Sequence, residues 1–135
     1  MAEQETGLDV LVVEVGHEEL EHGRVRAELH ADGRLDVQKV FEGKAEHYEG
    51  RVEKGAAEET LERADDLARI APREGGSYRP VPDEARYHVE LRRPGEEPVA
   101  VDVWQGELEE SEAARKLIRS LAEQVQRASD GRALL

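Results

Sequence analysis

Two short stretches alternate apolar and polar residues with a period of two. They are Tyr87-His-Val-Glu-Leu91 and Val99-Ala-Val-Asp-Val103, joined by Arg93-Pro-Gly-Glu-Glu97. A strand points successive side chains to opposite faces, so this alternation around a Pro-Gly turn predicts a β-hairpin with one buried face. Upstream, Leu8 to Val15 is β-branched and almost continuously apolar, as in a strand that is central or covered on both faces. Arg24 to His30 places Val25, Ala27 and Leu29 on one face, and Asp32-Gly33 turns the chain into Leu35-Asp-Val37, which predicts a hairpin over residues 24–41. The alternation slips at Val40-Phe41, where a bulge or a strand end is expected. Residues 43–55 are polar and punctuated by glycine, so they read as either a long loop or a weak edge strand.

The period then changes to that of a helix. Ala57, Leu61, Ala64, Ala68 and Ala71 recur at three- and four-residue spacing, with Leu67 and Ile70 widening the stripe. A helix is predicted over 56–71, stopped by Pro72 and close-packed because its buried residues are small. Residues 73–84, with Gly75-Gly76, Pro80 and Pro82, are hostile to regular structure and predict a surface loop. Ser111 is the expected N-cap of a final helix striped by Ala114, Leu117, Ile118, Leu121, Val125 and Ala128, ending near Ser129-Asp-Gly131. The order β-β-β-α-β-β-α predicts an α+β two-layer domain: an antiparallel sheet of four to five strands with both helices on one face. One domain is expected over residues 8–129, between flexible tails at 1–7 and 130–135.

The chain of 135 residues is long enough for one ordinary core. With 4% aromatic residues, that core has to be built from Val, Leu, Ile and Ala. Thirty-two acidic against nineteen basic residues give a net charge of −13, a field that repels phosphate backbones and anionic headgroups. Nucleic acid and membrane surfaces are therefore not expected as partners; a basic protein partner, a cation, or no partner at all with the charge serving solubility remain. There are no cysteines, so disulfides, thiolate nucleophiles and Cys-ligated zinc do not arise. The opening Met-Ala-Glu-Gln-Glu-Thr-Gly7 has no basic region followed by an apolar run, so a soluble cytoplasmic protein is expected.

No residue pattern carries catalysis. His17 and His22 flank Glu18-Glu-Leu-Glu21, but zinc-peptidase histidines lie four apart on one helical face, and these are five apart in a connection. That segment reads as a solvated acidic turn. Ser77 reads as turn chemistry within a glycine-rich loop. Neighbouring carboxylates are too numerous to single out a pair. The chain is accordingly expected to be no enzyme, with no cofactor and no metal site. Trp104, the only tryptophan, reads first as core and second as an interface anchor. Tyr48, Tyr78 and the loop from Gly75 to Asp83 are expected at the same end of the sheet as the Arg93–Glu97 turn, either as a ligand-reading edge or as an ordinary connection.

The segment Pro80-Val-Pro-Asp-Glu-Ala-Arg-Tyr-His-Val-Glu-Leu91, then Val99-Ala-Val-Asp-Val103, then a final helix with Leu117-Ile118 and Leu121, resembles the second half of the emfourin family. The glycine-turned strand pair followed by Gly50-Arg-Val and the helix at 56–71 is similar too, so the resemblance spans residues 10–127. Emfourins are small cytoplasmic bacterial proteins that inhibit thermolysin-like metallopeptidases such as protealysin. The family's early glycine-paired loop corresponds here only to Gly16 and Gly23, separated by the acidic segment. The resemblance implies an inhibitor that pushes a rigid loop into the peptidase cleft, with Glu18, Glu19 or Glu21 near the active-site zinc. Partner-binding residues are then expected at Glu18, Glu19, Glu21, Tyr78 and Trp104. An assembly or scaffold domain is the second reading.

Overall fold

The computed structural model describes residues 9–16, 23–74, 85–131 and 133, with backbone only at residues 70–74 and 109. The expected N-terminal tail and the candidates His17, Glu18, Glu19, Glu21, His22, Ser77 and Tyr78 lie outside the described residues. The elements are β1 (Val10–Gly16), β2 (Arg24–His30), β3 (Arg34–Phe41), β4 (Lys44–Arg51), α1 (Lys54–Glu74), β5 (Arg86–Arg92) and β6 (Val99–Trp104). A 3₁₀ turn at Gln105–Glu109 then leads into α2 (Glu112–Ala128).

All strand pairs are antiparallel, in the spatial order β4-β3-β2-β1-β5-β6. The fold is thus the expected α+β layer pair, with six strands in the sheet. The added strand is β4, the stretch that read as loop or weak edge. It carries only Tyr48 and Gly50 half-buried, too little apolar signal to declare a strand from sequence. The run Leu8–Val15 reads as central because β1 is central: Leu11 and Val13 face the helices, while Val12, 4% exposed, is buried on the other side.

Register aligns the inner face in rows. Tyr48, Val37, Ala27, Val13, Val89 and Val101 lie side by side across the six strands, and Gly50, Leu35, Leu29, Leu11, Leu91 and Val99 form the next row. Ala57, Leu61, Ala64 and Leu67 of α1 and Ala114, Leu117, Ile118, Leu121 and Val125 of α2 join those rows in one continuous core. Small residues set the approach of helix to sheet. A Cβ placed on Gly50 would lie 2.7 Å from the Ala128 Cβ, so the end of α2 rests directly on β4. The helices share one buried polar link. Thr60 Oγ1 donates to the Ala56 carbonyl at 3.0 Å and accepts from Gln124 Nε2 at 3.0 Å. Arg93, just beyond β5, donates to Asp65 of α1, and that bond raises the guanidinium's pKa further.

Local chemistry accounts for the boundaries. Ser111 caps α2 as expected, accepting from the Ala114 N–H at 3.3 Å, and Asp130 and Gly131 follow the helix with positive φ. Ala133 is buried, and its N–H donates to Ser129 Oγ at 2.9 Å, so packing extends past the expected boundary at 129. At Val40-Phe41 there is a strand end. Phe41 pairs with Lys44 across Glu42-Gly43, a two-residue turn whose φ values are both positive. Helix α1 corrects one expectation, since it runs through Pro72 to Glu74. So close to a helix end, proline forfeits a single backbone bond, and the packed residues upstream hold the helix in place.

Candidate functional surface on the open face of the sheet

Both helices lie on one side, so among the described residues no helix packs on the other face of the sheet, and register dictates what it displays. One outer row reads Glu49, Asp36, Glu28, Val12, Glu90 and Ala100 across the strands; the next reads His47, Gln38, Arg26, Glu14, His88 and Asp102. Val12 sits between Glu28 and Glu90, flanked by longer side chains. The face is a mosaic of carboxylates, guanidinium groups and imidazoles, as an antiparallel sheet solvated on one side requires.

The three described histidines all project here, although they are distant in sequence. His30, 8% exposed, places Nε2 3.2 Å from Glu28 and 4.0 Å from Asp36. His47 Nε2 lies 3.6 Å from the other oxygen of Asp36. His88 Nδ1 meets Asp102 at 2.6 Å, across the directly opposed pair of β5 and β6. At the turn from β2 to β3, the Arg34 N–H donates to Asp32 at 3.0 Å and holds that carboxyl below its usual pKa. In sequence these histidines looked unrelated, because only strand register brings His30, Asp36 and His47 together.

A third outer row closes the sheet at one end: Ala45, Val40, Arg24, Gly16, Arg86 and Trp104. Trp104 is not core. It is half-buried on the open face at the end of edge strand β6, outside the core cluster, because its register is that of Arg86 and Gly16. The Arg86 guanidinium lies 5.9 Å from the Trp104 ring centroid, a cation–π contact. The Trp104 N–H donates to Glu107 Oε1 at 3.0 Å, and the Gln105 N–H donates to the Ala85 carbonyl at 2.9 Å. Tryptophan is therefore held by the backbone on both sides. Val40 and Phe41 are 45% and 41% exposed at the same end, and Arg24 pairs with Glu14 at 3.7 Å.

Gly16 and Gly23, which flank the segment carrying Glu18, Glu19 and Glu21, belong to this end, as does Ala85, which closes the segment carrying Tyr78. Tyr48 and the Arg93–Glu97 turn do not join them. Tyr48 occupies a middle row on the helix side of β4, its hydroxyl donating to Glu46, and the turn leaves the opposite end of the sheet. At that opposite end a cleft of about 420 Å³ opens between β4, the start of α1 and the second half of α2, lined by Arg51, Glu53, Glu59, Thr60, Glu123 and Gln124 among others. None of its lining residues is a histidine.

No helix among the described residues is long and apolar enough to cross a membrane. No protein-family model and no curated protein matches this chain. The surface itself therefore has to indicate the partner.

Proposed function

We propose that this protein is a non-catalytic protein-binding module that meets its partner with the Trp104 end of the open sheet face. One observation carries the reading: Trp104 is half-exposed and lies against Arg86 at the edge of the sheet, in the outer row that also holds Arg24 and the exposed Val40 on strands further across the same end. Tryptophan and arginine are the residues enriched where protein interfaces concentrate their binding energy, and a side chain already held in place loses little entropy on docking.

The partner class we propose is a thermolysin-like metallopeptidase. Two things support it: the resemblance carried by residues 80–91, 99–103 and the final helix, and the position of Gly16 and Gly23. These glycines flank the acidic segment at the Trp104 end, so one docking event would engage both features. The proposed mechanism is occlusion, with Glu18, Glu19 or Glu21 directed at the catalytic zinc and Trp104 anchoring the rim. A bacterial, cytoplasmic setting belongs to the same proposal.

The test is titration of the purified protein into a thermolysin-like peptidase, following substrate cleavage and then the integrity of the added protein. Stoichiometric loss of activity with the protein uncut is expected, and Trp104→Ala should weaken inhibition at least tenfold. Full inhibition by the triple variant Glu18→Ala, Glu19→Ala, Glu21→Ala would overturn the role of the acidic segment. Cleavage of the protein as a substrate, or no inhibition at all, would overturn the peptidase assignment.

A further inference from the structure

We propose that Asp36, His47 and Glu49 form a binding site for a divalent transition-metal ion, and that Zn²⁺ is the ion the donor set suits. Asp36 of β3 stands directly opposite Glu49 of β4, and His47 precedes Glu49 by two residues on the same face. Their ligating atoms all lie within 4.8 Å of one another. Zinc bonds to His nitrogen and carboxylate oxygen are about 2.0–2.2 Å long, so ligand atoms around one ion stand roughly 3–4.4 Å apart. Rotation of exposed His47 and Glu49 side chains is enough to close the remaining gap.

Three features beyond proximity favour a cation here. The first is electrostatic. Glu28, Asp36 and Glu49 occupy one row across three adjacent strands, an arrangement of like charges that costs stability unless something neutralises it. The second is the state of the neighbours. Arg26 is engaged with Glu28 at 3.9 Å and Arg34 with His30 at 3.3 Å, whereas the Glu49 carboxylate makes no ion pair with any other described residue. The third lies behind Asp36. Asp36 turns one oxygen toward His47 at 3.6 Å and the other toward nearly buried His30 at 4.0 Å, so a second imidazole stands behind the ligand.

An imidazole among the ligands selects borderline transition ions over Mg²⁺ and Ca²⁺, which prefer all-oxygen shells. Three protein ligands leave coordination positions open, so the ion would present a Lewis-acidic spot on an otherwise rigid sheet face. That position, on β3 and β4, is two and three strands away from β1 and outside the Trp104 row, so the site is independent of the peptidase reading.

The experiment is calorimetric titration of ZnCl₂ into the EDTA-treated, dialysed full-length protein, with ¹H–¹⁵N spectra recorded alongside. One saturable site per chain is expected, with the largest shifts at residues 36, 47 and 49. His47→Ala and Glu49→Gln should each weaken binding at least tenfold while leaving the metal-free unfolding temperature unchanged. His88→Ala, altered in the separate histidine–carboxylate pair with Asp102, should bind as the parent does. Millimolar Mg²⁺ should not displace the zinc. Saturable binding that survives His47→Ala would overturn the site by assigning zinc to other histidines. Non-saturating uptake, or equal displacement by Mg²⁺, would overturn it by reducing the effect to diffuse attraction by a chain of net charge −13.

Discussion

Replacing Gly33 by alanine is expected to be among the most damaging single-methyl additions in this protein. Gly33 follows the turn between β2 and β3 with φ of +99°, and a Cβ there would sit 2.2 Å from the Val52 carbonyl oxygen. Ordinary contact lies at roughly 3.5 Å, so either Val52 or the turn has to move. Three costs combine. An L side chain in the left-handed region costs about 1–2 kcal/mol. Displacing packed backbone costs about 1–3 kcal/mol, by comparison with overpacked cores. The Val52 N–H bond to the Gly33 carbonyl, 2.7 Å long, contributes about 1 kcal/mol that the shift endangers. Gly95 provides the internal control, since its φ is +75° with nothing within 4 Å of an added Cβ. Gly95→Ala should therefore show the backbone cost alone, and Gly33→Ala should exceed it by about 2–4 kcal/mol. Urea unfolding followed by far-UV circular dichroism measures both. If the two variants lose equal stability to within about 0.5 kcal/mol, the steric argument fails, because that is the scatter expected of unrelated surface changes.

Two further outcomes follow from the core. Leu117→Ala removes a fully buried side chain between α2 and the sheet, and a loss of about 2–5 kcal/mol is expected in the same assay; a loss below 1 kcal/mol would mean that the helix is not seated as described. Tyr87 is 6% exposed, and burial pushes its phenol pKa above the usual 10. A folded-state pKa raised above the unfolded one gives stability that is intact below about pH 10 and is lost as pH rises through the folded value. Urea midpoints recorded from pH 8 to 11 should fall more steeply for the parent than for Tyr87→Phe, and identical slopes would refute burial of the phenol.

Much of this fold was legible because its signals are local. The hairpins announced themselves by period-two alternation around Asp32-Gly33 and Pro94-Gly95, and α2 by an apolar stripe behind a serine cap. What escaped is governed by partners distant in sequence. Strand β4 buries too little of itself to be recognised without β3 beside it. Trp104 looked like core because the sequence holds no other tryptophan, yet its place at the end of an edge strand turns it outward. The cluster of Asp36, His47 and Glu49 needed the pairing of β3 with β4, and the approach of His30 needed β2 as well. No spacing rule along one chain segment contains that information. The acidic segment is the opposite case: its composition was conspicuous from the start, and only its flanking glycines tie it to the sheet.

The placement of β1 has a consequence for how the molecule assembles. Pairings β1–β2, β2–β3 and β3–β4 join neighbours in sequence, as does β5–β6, whereas β1 reaches β5 only after α1 has intervened. Strand β1 is the seam where a locally formed meander and a later hairpin are sewn together. On a ribosome, the first four strands would emerge with the β5-facing edge of β1 bare, and this edge is the most hydrophobic strand in the chain. Closing the seam is the long-range step that should limit the folding rate. Until β5 arrives, the same edge is open to any extended strand nearby, including β1 of another nascent copy.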